Sequence, residues 1–134
     1  RAERLARQGL EFSGPKHGPL QLVLGAILER LGQVDAALEA YLASDRAVYG
    51  QTDGRFAAGF LLGSEGRCKE AIVHYRAAYR MGLNTPRLHT LLGSCYLLIG
   101  SLEEAVKSLE EARSKGEESV DVLMPLATAL DMLG

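Results

Sequence analysis
Thiols, net charge and long apolar runs are all scarce in this chain, and each shortage removes a class of function. The two cysteines, Cys68 and Cys95, form no C-x-x-C pair and no metal-ligand spacing. They are expected to be buried free thiols in apolar slots, with no disulfide framework to read. His17, His74 and His89 fall in three different segments, with no H-x-x-x-H spacing and no neighbouring cysteine, so neither a metal centre nor a cofactor is expected. Fifteen Lys and Arg stand against seventeen Asp and Glu, a net charge of −2. That field is too weak to favour nucleic acid or an anionic membrane surface as partner. No apolar run approaches the roughly 20 residues of a membrane span, so no direct membrane insertion is expected. The stretch Gly63-Ser64-Glu65-Gly66-Arg67 lacks the G-K-[ST] ending and the preceding strand of a phosphate loop. Glu103-Glu104 and Glu110-Glu111, with Lys107 and Arg113 nearby, read as solvated helix-face charges. No nucleophile stands with a base, and the chain is not expected to be an enzyme. It begins at Arg1 without a methionine or a signal-like apolar stretch, so the start looks like a processed or truncated end and the compartment is unreadable.

What the chain has is a period. Shifting Gly59, Gly66 and Ala71 by 34 residues lays them on Gly93, Gly100 and Ala105, and shifting the other way reaches Gly25, Gly32 and Ala37. Apolar residues recur at helical spacing, as in Leu88, Leu91, Leu92, Cys95, Tyr96 and Ile99. Gly25, Gly59 and Gly93 lie inside predicted helices, where each costs about 1 kcal/mol relative to Ala. Close approach of a second helix is the compensation, with Ala37, Ala71 and Ala105 small where it crosses. Gly32, Gly66 and Gly100 suit the left-handed turn that ends a helix. Ser101 with Glu104 reads as a capping box, and Thr85-Pro86 as a cap followed by a first-turn proline.

Leu92-Gly93, Tyr96, Ala105 and Leu109 stand as they do in the tetratricopeptide repeat, which the chain resembles. The resemblance implies an all-α fold, an α-solenoid of antiparallel helix pairs in a right-handed superhelix. Three full repeats, 18–51, 52–85 and 86–119, lie between partial ends. Residues 1–17 are the end of a preceding repeat helix with a Gly/Pro loop, and 120–134 the first helix of a further repeat. Two columns depart from the family pattern. The usual large apolar residue three before the Leu-Gly pair is Gln21, Arg55 and His89, and the closing proline is replaced by Tyr49, Leu83 and Glu117.

Helices are expected near 19–31, 34–48, 53–65, 68–81, 87–99, 102–115 and 120–133, the last starting late or bending at Met124 because of Pro125. In residues 1–9, Gly9 and Leu10 are set over Gly82 and Leu83. Gly14-Pro15 and Gly18-Pro19 mark a loop longer than the other inter-repeat turns. With Lys16 and His17, it is either a tolerated surface insertion or a contact loop for a partner. Tyr41, Tyr75 and Tyr79 are expected to pack with their hydroxyls at the surface.

The family resemblance places ligands in the concave groove lined by the first helices. The groove positions are then Leu22, Ala26 and Arg30, Phe56, Phe60 and Ser64, Thr90, Ser94 and Leu98, and Met124, Thr128 and Met132. This stripe is apolar with a few hydroxyls, which favours capture of a peptide or helix, with Arg30 and the hydroxyls setting register. Packing against neighbouring repeats is the other use such a stripe could have. Leu22, Ala26, Phe56 and Phe60 occupy the places where chaperone-binding members keep donors for a terminal carboxylate, and Val23, Ala57, Leu91 and Pro125 those of an inner asparagine ladder, so neither subtype fits. The expected function is a protein–protein interaction scaffold, as part of a larger protein. The alternatives are a regulatory or substrate-recruiting arm of an enzyme whose catalytic domain lies outside this chain, and a structural spacer. Self-association through exposed terminal helices is a further expectation.

Overall fold
The 34-residue period becomes a row of helix pairs. The computed structural model describes residues 1–13, 18–47 and 51–134. Gly14-Pro15, Lys16 and His17 of the expected loop, and Tyr49, lie outside the described residues. Among the described residues there are eight α-helices, α1 (Ala2–Ser13), α2 (Gly18–Arg30), α3 (Val34–Ala47), α4 (Asp53–Ser64), α5 (Cys68–Arg80), α6 (Pro86–Leu98), α7 (Leu102–Ser114) and α8 (Val120–Leu133), and no strand. The pairs α2/α3, α4/α5 and α6/α7 pack along their lengths, and α8 packs on α7 and α6.

Turn chemistry fixes where each pair folds back. Gly32, Gly66 and Gly100 take φ of 77°, 78° and 82°, the left-handed region that a Cβ disfavours. Thr85 caps α6 as expected, its Oγ1 accepting from the Leu88 amide at 3.2 Å with Pro86 in the first turn. The capping box at Ser101 is not formed: its side chain makes no cap bond. α8 starts at Val120 and runs through Pro125, so a late start is not realised.

The in-helix glycines are buried, and what fills the space above them is a large side chain of the second helix. A Cβ on Gly25 would meet the Tyr41 ring at 2.5 Å, one on Gly59 the Tyr75 ring at 2.7 Å, and one on Gly93 the Leu109 side chain at 2.5 Å. Tyr41 and Tyr75 are therefore core residues, correcting the expectation of surface hydroxyls; Tyr79 alone of the three is exposed. The Tyr41 hydroxyl donates to Glu29 Oε1 at 2.8 Å. Burial, with this bond adding to it, holds its pKa well above the ordinary tyrosine value. Burial pushes Tyr75 up to about 12.

Two further expectations are corrected. Cys68 and Cys95 are not free thiols: they are joined in a disulfide between the start of α5 and the middle of α6, with Cα atoms 5.1 Å apart, a separation ordinary for such bonds. Gly9 lies inside α1 and does not match the turn glycine Gly82, because Glu11-Phe12-Ser13 continue the helix. His89, in a slot the family fills with an apolar side chain, is buried all the same. Its Nε2 donates to Asn84 Oδ1 at 2.7 Å and its ring meets Tyr79 edge-on at 5.5 Å.

The ribbon curves toward the first helices. Consecutive first helices touch, α2 with α4, α4 with α6 and α6 with α8, whereas among the described residues α3 with α5 and α5 with α7 share no such contact within 8 Å. The row that is closer together is the inner one, and it carries the candidate site.

Candidate functional site
A cavity of about 760 Å³ opens on the inner row between α4, α6 and α8. Phe60, Leu91 and Met124 supply its apolar wall, and Thr90 and Ser94 its hydroxyls. The helical period explains this grouping: places five and nine of successive repeats project to the same side of neighbouring helices. Phe60 remains 40% exposed and Met124 63% exposed, more apolar surface than packing alone requires.

Four of the sequence-predicted positions, Phe60, Thr90, Ser94 and Met124, thus meet around one cavity. Phe56 sits half-buried beside it, its ring 5.9 Å from that of Tyr75. The other seven do not line it. Leu22 is half-buried against the first-repeat core. Ala26, Arg30, Ser64, Leu98, Thr128 and Met132 are exposed elsewhere along the row, Leu98 at 75% and Met132 at 59%.

The sequence reading missed the charged residues at the mouth. Arg87 lies over the rings of both Phe56 and Phe60, its guanidinium carbon 5.7 Å and 5.4 Å from their centroids. It stands in the first turn of α6, where a cation opposes the helix dipole by about 0.3–1 kcal/mol. Two ring contacts, each worth about 0.5–1 kcal/mol at exposed sites, offset that. Among the described residues no carboxylate is ion-paired with Arg87. Asp121, one repeat later on α8, lines the same cavity, as does Glu117. The signal was in the sequence: place two of the successive units reads Pro19, Asp53, Arg87, Asp121.

Three hydroxyls of the inner row are polarised in one sense. Ser64 donates to the Phe60 carbonyl, Thr90 to that of Pro86 and Thr128 to that of Met124, each at 2.9 Å. With the hydrogen committed to the helix, each oxygen offers lone pairs outward.

On the outer side a second cleft of about 540 Å³ lies between α5 and α7 over His89 and Tyr96. Arg76, Arg80, Lys107 and Glu104 rim it with mixed charge on long side chains, and Tyr79, Leu92 and Tyr96 give it apolar surface of its own. Among the described residues no group of three or more His, Cys, Asp or Glu is placed to hold a metal ion, and no helix is long and apolar enough to cross a membrane.

Comparison with known proteins agrees with this architecture. The tetratricopeptide repeat family model matches residues 56–119. Among solved structures, YrrB, described as a TPR protein with an unusual peptide-binding site, superposes with a TM-score of 0.83 at 17% identity over 96% of this chain. The chain spans 66% of YrrB's own length. MamA superposes with a TM-score of 0.86 at 17% identity, over 98% of this chain and 77% of its own. The first TPR of Spaghetti, bound to an HSP90 peptide, gives 0.79 at 14% identity over 87% of this chain and 93% of its own. No curated protein sequence matches the chain. Residues 56–119 thus carry a tetratricopeptide repeat, and the described helices on either side continue the same fold.

Proposed function
We propose that this chain is a protein-interaction scaffold that holds a segment of a partner in the inner groove and performs no chemistry of its own. The observation that carries this reading is the cavity between α4, α6 and α8, where Phe60, Leu91 and Met124 present an apolar wall beside the charged groups of Arg87 and Asp121. Burying that wall contributes about 25 cal/mol per Å². Two structural neighbours, one described as having a peptide-binding site and one bound to an HSP90 peptide, support peptide binding as a use of this fold. The test is capture of partners from native lysate by the chain and by the double variant Phe60→Ser, Met124→Ser. Both residues are exposed, so the variant should keep its helical circular dichroism and lose the captured proteins. Undiminished capture by a folded variant would refute the groove.

A second copy of the chain is the other partner we propose, through α8 and not α1. Leu123, Leu130 and Leu133 on α8 stand one repeat after His89, Tyr96 and Ile99, and are exposed. On α1 the corresponding frame reads differently. Where α3, α5 and α7 carry the alanine and the large residue that meet their own first helix, it carries Glu3 and Arg7, paired to each other at 3.1 Å.

A further inference from the structure
We infer that the segment held in the inner groove is an extended, polyproline-II-like stretch with a central acidic side chain and a basic one three residues to either side. This rests on the groove reading above and names the chemistry that the groove selects.

Three features converge on it. The first is the charge order along the inner row. Asp53, Arg87 and Asp121 occupy the same place at the start of α4, α6 and α8, giving minus, plus, minus, and Glu117 reinforces the Asp121 end of the cavity. The second is spacing. Packed helices lie about 8–10 Å apart, and a polyproline II stretch rises about 3.1 Å per residue with three residues per turn, returning a side chain to the same side every ~9.3 Å. Residues three apart therefore meet successive helices on one face. The minus, plus, minus order is symmetric, so either chain direction fits.

The third feature is the hydroxyls. Ser64, Thr90 and Thr128 have given their hydrogens to their own helices, so what they offer a ligand is an acceptor. A bound α-helix has its amides engaged internally, whereas a polyproline II backbone keeps them free. Arg87, steadied on two rings and without an ion pair among the described residues, takes the central carboxylate. Phe60, Leu91 and Met124 take the apolar residue beside it.

The test uses two synthetic probes read by fluorescence anisotropy, Lys-Pro-Leu-Glu-Pro-Leu-Lys and its charge-reversed form Glu-Pro-Leu-Lys-Pro-Leu-Glu. The first should bind about tenfold more tightly, with the difference shrinking as salt is raised. Arg87→Glu removes an exposed cation from a helix N-terminus and should leave the fold intact, yet reduce or invert the preference. Equal affinity for both probes, abolished by Phe60→Ser with Met124→Ser, would overturn the charge reading and leave the groove standing. No binding of either probe at millimolar concentration would overturn the charge reading too, and the lysate capture then decides separately whether the groove binds at all.

Discussion
The Asp45 carboxylate accepts a hydrogen bond from the Gly54 amide at 2.8 Å and a second from the Arg55 amide at 2.7 Å, so the end of α3 caps the start of α4. Asp45 is buried and the helix it caps begins the second repeat. A Cβ on Gly54 would collide with the Tyr41 carbonyl oxygen and with the side chains of Ser44 and Asp45. Gly54→Ala is therefore expected to destabilise by about 2–4 kcal/mol, although Gly to Ala inside a helix ordinarily gains about 1 kcal/mol. Asp45→Asn should cost about 1–2 kcal/mol, since a charged acceptor of two amides becomes a neutral one. Urea unfolding followed by circular dichroism measures both. A Gly54→Ala chain as stable as the parent would show that this junction does not close as described.

The fold was legible because its period is printed in residues that have no freedom. Gly59 and Gly93 can be nothing larger beneath Tyr75 and Leu109, and Gly66 and Gly100 mark the turns by backbone conformation. The inner row was legible for the same reason, since helical spacing alone sends Phe60, Thr90, Ser94 and Met124 to one side. Contacts that depend on side-chain reach were not. Nothing in the spacing says that Arg87 folds back over the rings of the preceding repeat, that Asp45 reaches the next helix, or that the Ser101 hydroxyl leaves its cap unmade. Cys68 and Cys95 were misjudged because one sits at a helix start and the other mid-helix in the next repeat, and only packing brings them together.

That disulfide joins two repeats and closes a loop with a sequence separation of 27. Chain-entropy arguments give about 3.5 kcal/mol for a loop of this length, which corresponds to roughly 10 °C in Tm for a chain this size. Thermal unfolding with and without reductant should show that difference, and Cys68→Ser with Cys95→Ser should unfold like the reduced chain under both conditions. Intact mass under alkylating, non-reducing conditions gives an independent check. Full alkylation of both cysteines in the unfolded, unreduced protein would mean that the thiols never pair.

His74 and His89 make stability depend on pH near neutrality. Burial lowers the pKa of His74, and Arg55 lowers it further while Glu70 opposes; among the described residues its buried Nδ1 finds no hydrogen-bond partner. Burial likewise lowers His89, with Glu111 opposing and Lys115 adding. Both imidazoles thus protonate less readily in the folded chain than at the unfolded value of about 6.5. Their contribution is fully present above that pH and is lost as pH falls through the folded values. Tm should decline between pH 7.5 and 5.5, above the main carboxylate range, and decline less steeply in a His74→Gln, His89→Gln chain. Equal slopes for the two chains would assign the pH dependence to other groups.

α8 decides whether the chain stands alone. Val122, Leu126 and Ala129 face its neighbours and are buried, yet Val120, Leu123, Leu130 and Leu133 are exposed. A helix that leaves this much apolar surface bare beside its buried face is a helix to be covered. On α1 the corresponding places hold the Glu3–Arg7 pair, so the pairing expected is a closed one of two copies meeting α8 to α8. Sedimentation equilibrium should show a mass that rises from monomer to dimer with concentration. Leu123→Glu with Leu130→Lys, placed on the uncovered face, should hold it at monomer without loss of helix. A monomer mass at every concentration in the parent chain would leave α8 without a second copy as its partner.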